Sequence, residues 1–202
     1  MRIGLDFDNT IVSYDALFHK VALEQGVIPA DTPVNKVAIR DYLRAAGCEP
    51  VWTEMQGTVY GARMDEALPY PGVIGFLHWA AEAGHDLAII SHKTRHPFLG
   101  PQYDLHAAAR AWADHHLCVD GQPFIPPGQV YFELTKEEKL ARIATFRCDL
   151  FLDDLPEILL ASGFPAATRR VLFDPEGNHV PETVPDAIKV HSWGELAQWL
   201  GV

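Results

Sequence analysis

Met1–Val12 reads MRIGLDFDNTIV. A short apolar run (Ile3, Leu5, Phe7) alternates with Asp6 and Asp8 and stops at Asn9-Thr10. Alternation over this length, closed by turn formers, predicts a strand. On a continuous strand Asp6 and Asp8 share one face. With Asp8 past the strand's end, where the backbone turns, both acids approach one point. Ligands of open α/β sheets bind there, beyond the carboxyl ends of the strands. Two carboxylates crowded at such a point repel each other, and each is costly to desolvate alone. A divalent cation, or a proton shared between them, relieves this. Taken alone, the stretch also reads as an ordinary acidic turn, so the rest of the chain decides.

Outward from this strand, Asp15 to about 68 is helical and lacks a clear strand. Leu17, Phe18, Val21 and Leu23 mark a helix ended by Gly26, and Val37, Ile39, Tyr42 and Leu43 mark a second closed by Gly47. A third is predicted over Val51–Ala67, with Gly57 and Gly61 as weak points. Pro69-Tyr70-Pro71-Gly72 marks the return, and an amphipathic helix spans Val73–Ala83. Asp86–Ser91 (DLAIIS) reads as a buried strand followed by the basic loop HKTRHP. A helix over Tyr103–Leu117, a strand over Gln129–Leu134 and a helix from Thr135 to Phe146 follow, the last opened by a capping box. DLFLD (Asp149–Asp153) is a further buried strand and leads into Asp154. Strands over Arg170–Phe173 and Ala187–Val190 and a helix over Trp193–Leu200 close the chain. Strands alternating with helices imply an α/β fold: a doubly wound parallel sheet with helices on both faces. The expected organisation is a Rossmann-like core (1–14 and 69–202) and a small all-helical cap inserted after the first strand (15–68), standing over that strand's end.

The 202 residues, 48% apolar, suffice for one domain with a smaller insert. No apolar run reaches the length of a bilayer span, and Asp6 and Asp8 interrupt any signal-peptide pattern. The cysteines, Cys48, Cys118 and Cys148, have no paired spacing, which fits a reducing, cytoplasmic compartment. A net charge of −11 argues against nucleic acid as a partner, while local basic groups leave a small anion possible. The expected partner is a small phosphorylated metabolite, with no membrane contact, and the chain is expected to be a monomer or homodimer.

Four strand ends carry polar chemistry or lead to it: Asp6 and Asp8, then Ser91, then the helix with Lys139, then Asp153-Asp154. Converging on one edge, they suit phosphoryl transfer. A carboxylate attacks phosphorus and a second acid protonates the leaving oxygen. Mg²⁺ is held by oxygen ligands, and a hydroxyl and a lysine bind the phosphoryl oxygens. Lys136 competes with Lys139 for this role. Lys139 is preferred because Leu140, Ile143 and Phe146 place it beside the packed face of its helix. Asp153-Asp154 also reads as the start of a helix at Leu155-Pro156-Glu157.

With its motifs in the order DFDNT, LAIIS, KLARI and LFLDD, the chain resembles the haloacid dehalogenase (HAD) superfamily of phosphohydrolases. The resemblance implies Asp6 as the nucleophile forming an aspartyl-phosphate and Asp8 as general acid, then base. It implies Thr10, Ser91 and Lys139 as phosphate-binding residues, and Asp6, Asp8 (through its carbonyl), Asp153 and Asp154 around Mg²⁺. The dehalogenase branch lacks an equivalent of Asp8, so its presence favours a phosphatase or a phosphomutase. The insert resembles the cap of the branch holding deoxyribonucleotidases and sugar-phosphate phosphatases. Residues expected to line the substrate are Tyr14 at the crossing into the cap, Phe18, Trp52, Tyr60 and Arg63 from the cap, and His92, Lys93 and Arg95 from the core loop. The expected activity is hydrolysis of a sugar phosphate or nucleotide. A phosphomutase is the alternative, followed by a phospho-receiver domain or a non-catalytic binding protein.

Overall fold

The computed structural model describes residues 1–180 and 183–201. The chain divides into two compact units: Met1–Val12, Pro69–Lys93 and Asp114–Val202 in the first, Ser13–Leu68 and Thr94–Ala113 in the second.

The first unit is built on six parallel strands: β1 (Arg2–Leu5), β2 (Asp86–His92), β3 (Val130–Glu133), β4 (Leu150–Asp153), β5 (Arg169–Phe173) and β6 (Ile188–Val190). Their order across the sheet is β6-β5-β4-β1-β2-β3. The chain winds outward from β1 in one direction, then returns to β1's other side with β4. The winding therefore reverses beside β1, where such sheets bind ligands. β1, β2 and β4 are nearly continuous apolar runs because both of their faces are covered. On one face Ala88, Ile90, Phe151 and Leu172 pack with Leu140 and Ile143 of one helix and Ile158 and Leu159 of another. On the other, Phe173 and Phe76 meet the Trp193 ring, with centroids 5.9 and 5.0 Å apart.

The helices of this unit are α4 (Val73–Glu82), α6 (Lys136–Phe146), α7 (Pro156–Leu159) and α8 (Trp193–Leu200). Those of the second are α1 (Asp15–Glu24), α2 (Lys36–Ala45) and α3 (Glu49–Gly57). The remaining helix, α5 (Leu105–His116), begins in the second unit and ends in the first. A short hairpin, Cys118–Val119 with Gln122–Pro123, was not evident from the sequence.

The second unit differs from the sequence expectation in two ways. Thr94–Ala113, expected with the sheet, groups with the helical segment. The helix expected over Val51–Ala67 is broken: α3 ends at Gly57, a π-helical turn spans Thr58–Ala62, and a 3₁₀ turn spans Met64–Glu66. Two glycines mark where these segments meet. A Cβ on Gly57 would lie 2.9 Å from the Pro97 ring, and one on Gly61 would lie 2.6 Å from the Tyr103 side chain. The two glycines thus admit the 94–104 loop against the helical segment. The Trp112 indole N–H adds a hydrogen bond to the Ala67 carbonyl (2.8 Å). Tyr14, Phe18 and Trp52, expected to line substrate, are buried and form this unit's core. Phe18 stacks on Trp52 (centroids 4.8 Å), and Tyr14 meets half-buried Tyr60 edge-on (4.8 Å).

Gly4 lies at the centre of the sheet because a side chain there would overlap its neighbours. An added Cβ falls 2.6 Å from both Cys148 Sγ and the Phe151 ring. Gly4→Ala is expected to lower unfolding free energy by about 1–3 kcal/mol through overpacking. A urea melt checks this, and an unchanged midpoint contradicts it.

Candidate active site

The register of β1 on β4 pairs Leu5 with Leu152, so the next residues, Asp6 and Asp153, come level at the strand ends. The Asp6 N–H donates to the Leu152 carbonyl (2.9 Å) and extends the pairing. Like charges facing each other across adjacent strands are destabilising, and both residues are buried. The third member of the group answers this. Lys139 Nζ lies 2.6 Å from Asp6 Oδ1 and 2.6 Å from Asp153 Oδ2.

Local sequence sets the position of Lys139. The Thr135 hydroxyl accepts from the Glu138 N–H, and the Glu138 carboxylate accepts from the Thr135 N–H, both at 3.1 Å. This capping box starts α6 immediately beyond β3 and places Lys139 one turn in, beside the buried Leu140 and Ile143. Burial alone would lower the Lys139 pKa, but Asp153 and Asp6 outweigh it and hold the ammonium above its ordinary value. Burial pushes the Asp153 carboxyl upward; Lys139 opposes the rise and Asp6 adds to it, for a net upward shift. The other Asp153 oxygen accepts from the Leu155 N–H (2.9 Å) at the entrance to α7. Lys136 lies on the surface and pairs with Glu157 (2.5 Å).

Past Asp6 the backbone folds back sharply. The N–H groups of Ile11 and Val12 both donate to the Phe7 carbonyl (3.0 and 3.1 Å). Asn9 takes a left-handed conformation (φ +57°), which Asn tolerates better than most residues. The Trp193 indole N–H braces the loop through the Thr10 carbonyl (3.1 Å), and the Tyr70 N–H does so through the Ile11 carbonyl (2.8 Å). The Thr10 hydroxyl is buried with no hydrogen-bond partner among the described residues. Lys93 Nζ lies 2.8 and 2.9 Å from the two carboxylate oxygens of Asp8, at the start of this turn. Ser91 is buried at the end of β2.

Asp6, Asp153 and Asp154 each offer an oxygen within 4.8 Å of the others, a cluster of hard donors suited to a divalent cation. With all four acids ionised, Asp6, Asp8, Asp153 and Asp154 outnumber the two ammonium groups, and the site's residual charge is negative. An incoming dianion would be repelled unless a cation joined it.

No protein-family model matches the chain, and no curated protein matches it. Solved structures do. A HAD-family hydrolase from Deinococcus radiodurans with bound phosphate and sodium superposes with a TM-score of 0.62 at 16% identity, over 98% of this chain and 94% of that one. The HAD-hydrolase YfnB from Bacillus subtilis, bound to magnesium, gives 0.59 at 16% identity over 100% and 99%. A dehalogenase gives 0.57 at 14% identity over 100% and 97%. The chain has the haloacid dehalogenase fold. In this HAD-type sheet the four motifs quoted from the sequence stand at or just beyond the carboxyl edge of β1, β2, β3 and β4.

The remaining residues expected at substrate have other partners. His92 Nε2 donates to the Leu134 carbonyl (3.1 Å). Arg95 pairs with Asp104 (3.1 Å) in the second unit. In the same unit Arg63 is held by Glu66 (2.5 Å) and by Glu24. Its hydrogen bonds with Glu66 and Glu24 raise the Arg63 pKa, and those from Arg63 and Lys20 pull Glu66 down to about 2. Lys93, expected at substrate from its place in the basic loop directly after Ser91, pairs with Asp8; neither that pairing nor the Trp193 brace was evident from the sequence.

Removing the ammonium of Lys139 would leave two buried carboxylates face to face. Lys139→Met is expected to cost about 3–5 kcal/mol of unfolding free energy at neutral pH without added metal. Lys136→Ala, which breaks a surface pair, is expected to cost less than about 1 kcal/mol. Denaturant melts compare them, and equal losses contradict the assignment.

Proposed function

We propose that the protein is a phosphohydrolase of a small phosphomonoester, a sugar phosphate or a nucleotide. The observation that carries the reading is the division of the first loop's two carboxylates between different partners. Asp6 is buried against Lys139 and Asp153, whereas Asp8 is only partly buried and rests on Lys93. Two acids in two environments can take two roles. In the first half-reaction an Asp6 oxygen bonds to phosphorus, the bond from phosphorus to the ester oxygen breaks, and Asp8 gives that oxygen its proton. In the second, Asp8 takes a proton from water as the water oxygen bonds to phosphorus. The bond from Asp6 to phosphorus then breaks, and inorganic phosphate leaves. Displacing chloride from carbon, as in a dehalogenase, needs no proton donor for the leaving group, so Asp8 favours an ester.

Thr10 carries a buried hydroxyl with no partner among the described residues, an arrangement that typically costs about 1–3 kcal/mol. Together with Ser91 and Lys139 it provides donors for phosphoryl oxygens. Asp6, Asp153 and Asp154 fit Mg²⁺, and the Asp8 carbonyl is a further ligand by resemblance. The ion's charge would offset the excess of carboxylates and make room for a phosphate dianion.

Phosphate release from a panel of sugar phosphates, nucleotides and an aryl phosphate tests the reading. Release is expected with Mg²⁺, background only with chelator, and a loss of roughly three orders of magnitude or more in kcat for Asp6→Asn. Undiminished release by Asp6→Asn, or no release from any ester, would overturn it.

A further inference from the structure

Lys93 is an unusual lysine. Its side chain is buried, and its ammonium faces both oxygens of Asp8 at 2.8 and 2.9 Å. Its backbone is fixed too: the Lys93 N–H donates to the Glu133 carbonyl (2.9 Å), carrying the pairing of β2 with β3 one residue past the strand. The Phe7 ring lies 5.7 Å from Nζ and walls the side chain. Ordering a lysine to this degree gives up most of its rotamer freedom. Asp8 stands past the end of β1, on a turn beside the left-handed Asn9. Lys93, one residue past β2, ties that turn's carboxylate to the end of β2.

We propose that Lys93 is the positioning residue for Asp8, holding its carboxyl group in the direction from which it serves the leaving oxygen and then the attacking water. The inference rests on the phosphohydrolase reading for its consequence and on geometry for its substance. Each carboxyl oxygen has two acceptor sites. One oxygen of Asp8 can therefore carry the transferred proton while the other keeps its bond to Lys93. The ammonium bonds to both oxygens of Asp8, so its removal is expected to affect the step that needs a proton donor.

The test compares an alkyl phosphomonoester, whose leaving oxygen must be protonated, with dinitrophenyl phosphate, whose leaving group departs as an anion. Lys93→Met is expected to lower kcat on the alkyl ester about a hundredfold. KM should stay within about twofold, and the loss on the dinitrophenyl ester should be below about threefold. Lys93→Arg should recover part of the loss. The double variant Lys93→Met/Asp8→Asn should be no slower than Asp8→Asn alone, because both changes disable one device. Equal losses on both esters, a raised KM with unchanged kcat, or multiplicative losses in the double variant would overturn the proposal. A readout independent of activity accompanies this. In NMR of the lysine ammonium groups, the Lys93 signal, identified by its absence in Lys93→Met, should be protected from exchange and should move in Asp8→Asn. An unmoved signal overturns the anchor. If that signal moves while the wild type is silent on every ester, the phosphohydrolase reading fails and the anchor stands.

Discussion

The structure of this site depends on one ammonium group between two carboxylates. Parallel pairing brings the ends of β1 and β4 level, so Asp6 and Asp153 meet whatever their charges. Neither is exposed to water that could screen them. The cost of desolvating ions is several kcal/mol each, and a buried pair is tolerated only when geometry and further hydrogen bonds are good. Lys139 meets both conditions, at 2.6 Å to each acid, with the Leu155 N–H serving the remaining Asp153 oxygen. The interaction joins three elements, β1, β4 and α6, and it orients Asp6. Asp154 adds a third carboxylate whose oxygen lies within 4.8 Å of those of Asp6 and Asp153.

A second lysine repeats the device at the next acid. Lys139 comes from a helix and serves the buried carboxylate; Lys93 comes from a strand end and serves the one on the turn. Behind the turn, the indole of Trp193 holds the Thr10 carbonyl. The backbone carrying the two acids is therefore braced from several directions by groups that lie far away in the chain. Catalysis by positioned groups requires such bracing, because a loop's own hydrogen bonds leave it too much freedom.

The fold was legible because its signals are local. Short apolar runs ending in Asp6, Ser91 and Asp153 announce buried parallel strands with polar ends. The capping box at Thr135 and Glu138 fixes where α6 begins and which lysine turns inward. What was not legible depends on pairs distant in sequence. Gly57 and Gly61 looked like weak points of a helix until Pro97 and Tyr103 filled the space beside them. Arg63 and Arg95, expected to line the substrate, are held by Glu24, Glu66 and Asp104. Lys93 was recognised as important by its position after Ser91, yet nothing periodic in the chain names Asp8 as its partner. Periodicity reports which face of an element is buried; it does not report what lies opposite.

The account stands most directly on covalent chemistry at Asp6. Rapid acid quenching during turnover of a substrate found by phosphate release, followed by peptide mass spectrometry, reads it out. One phosphoryl group is expected on the peptide containing Asp6 and none in Asp6→Asn; with dinitrophenyl phosphate, whose leaving group needs no proton, it should accumulate in Asp8→Asn, where water attack is slowed. A label on another residue, or active turnover with no labelled Asp6 peptide under any quench, would contradict it.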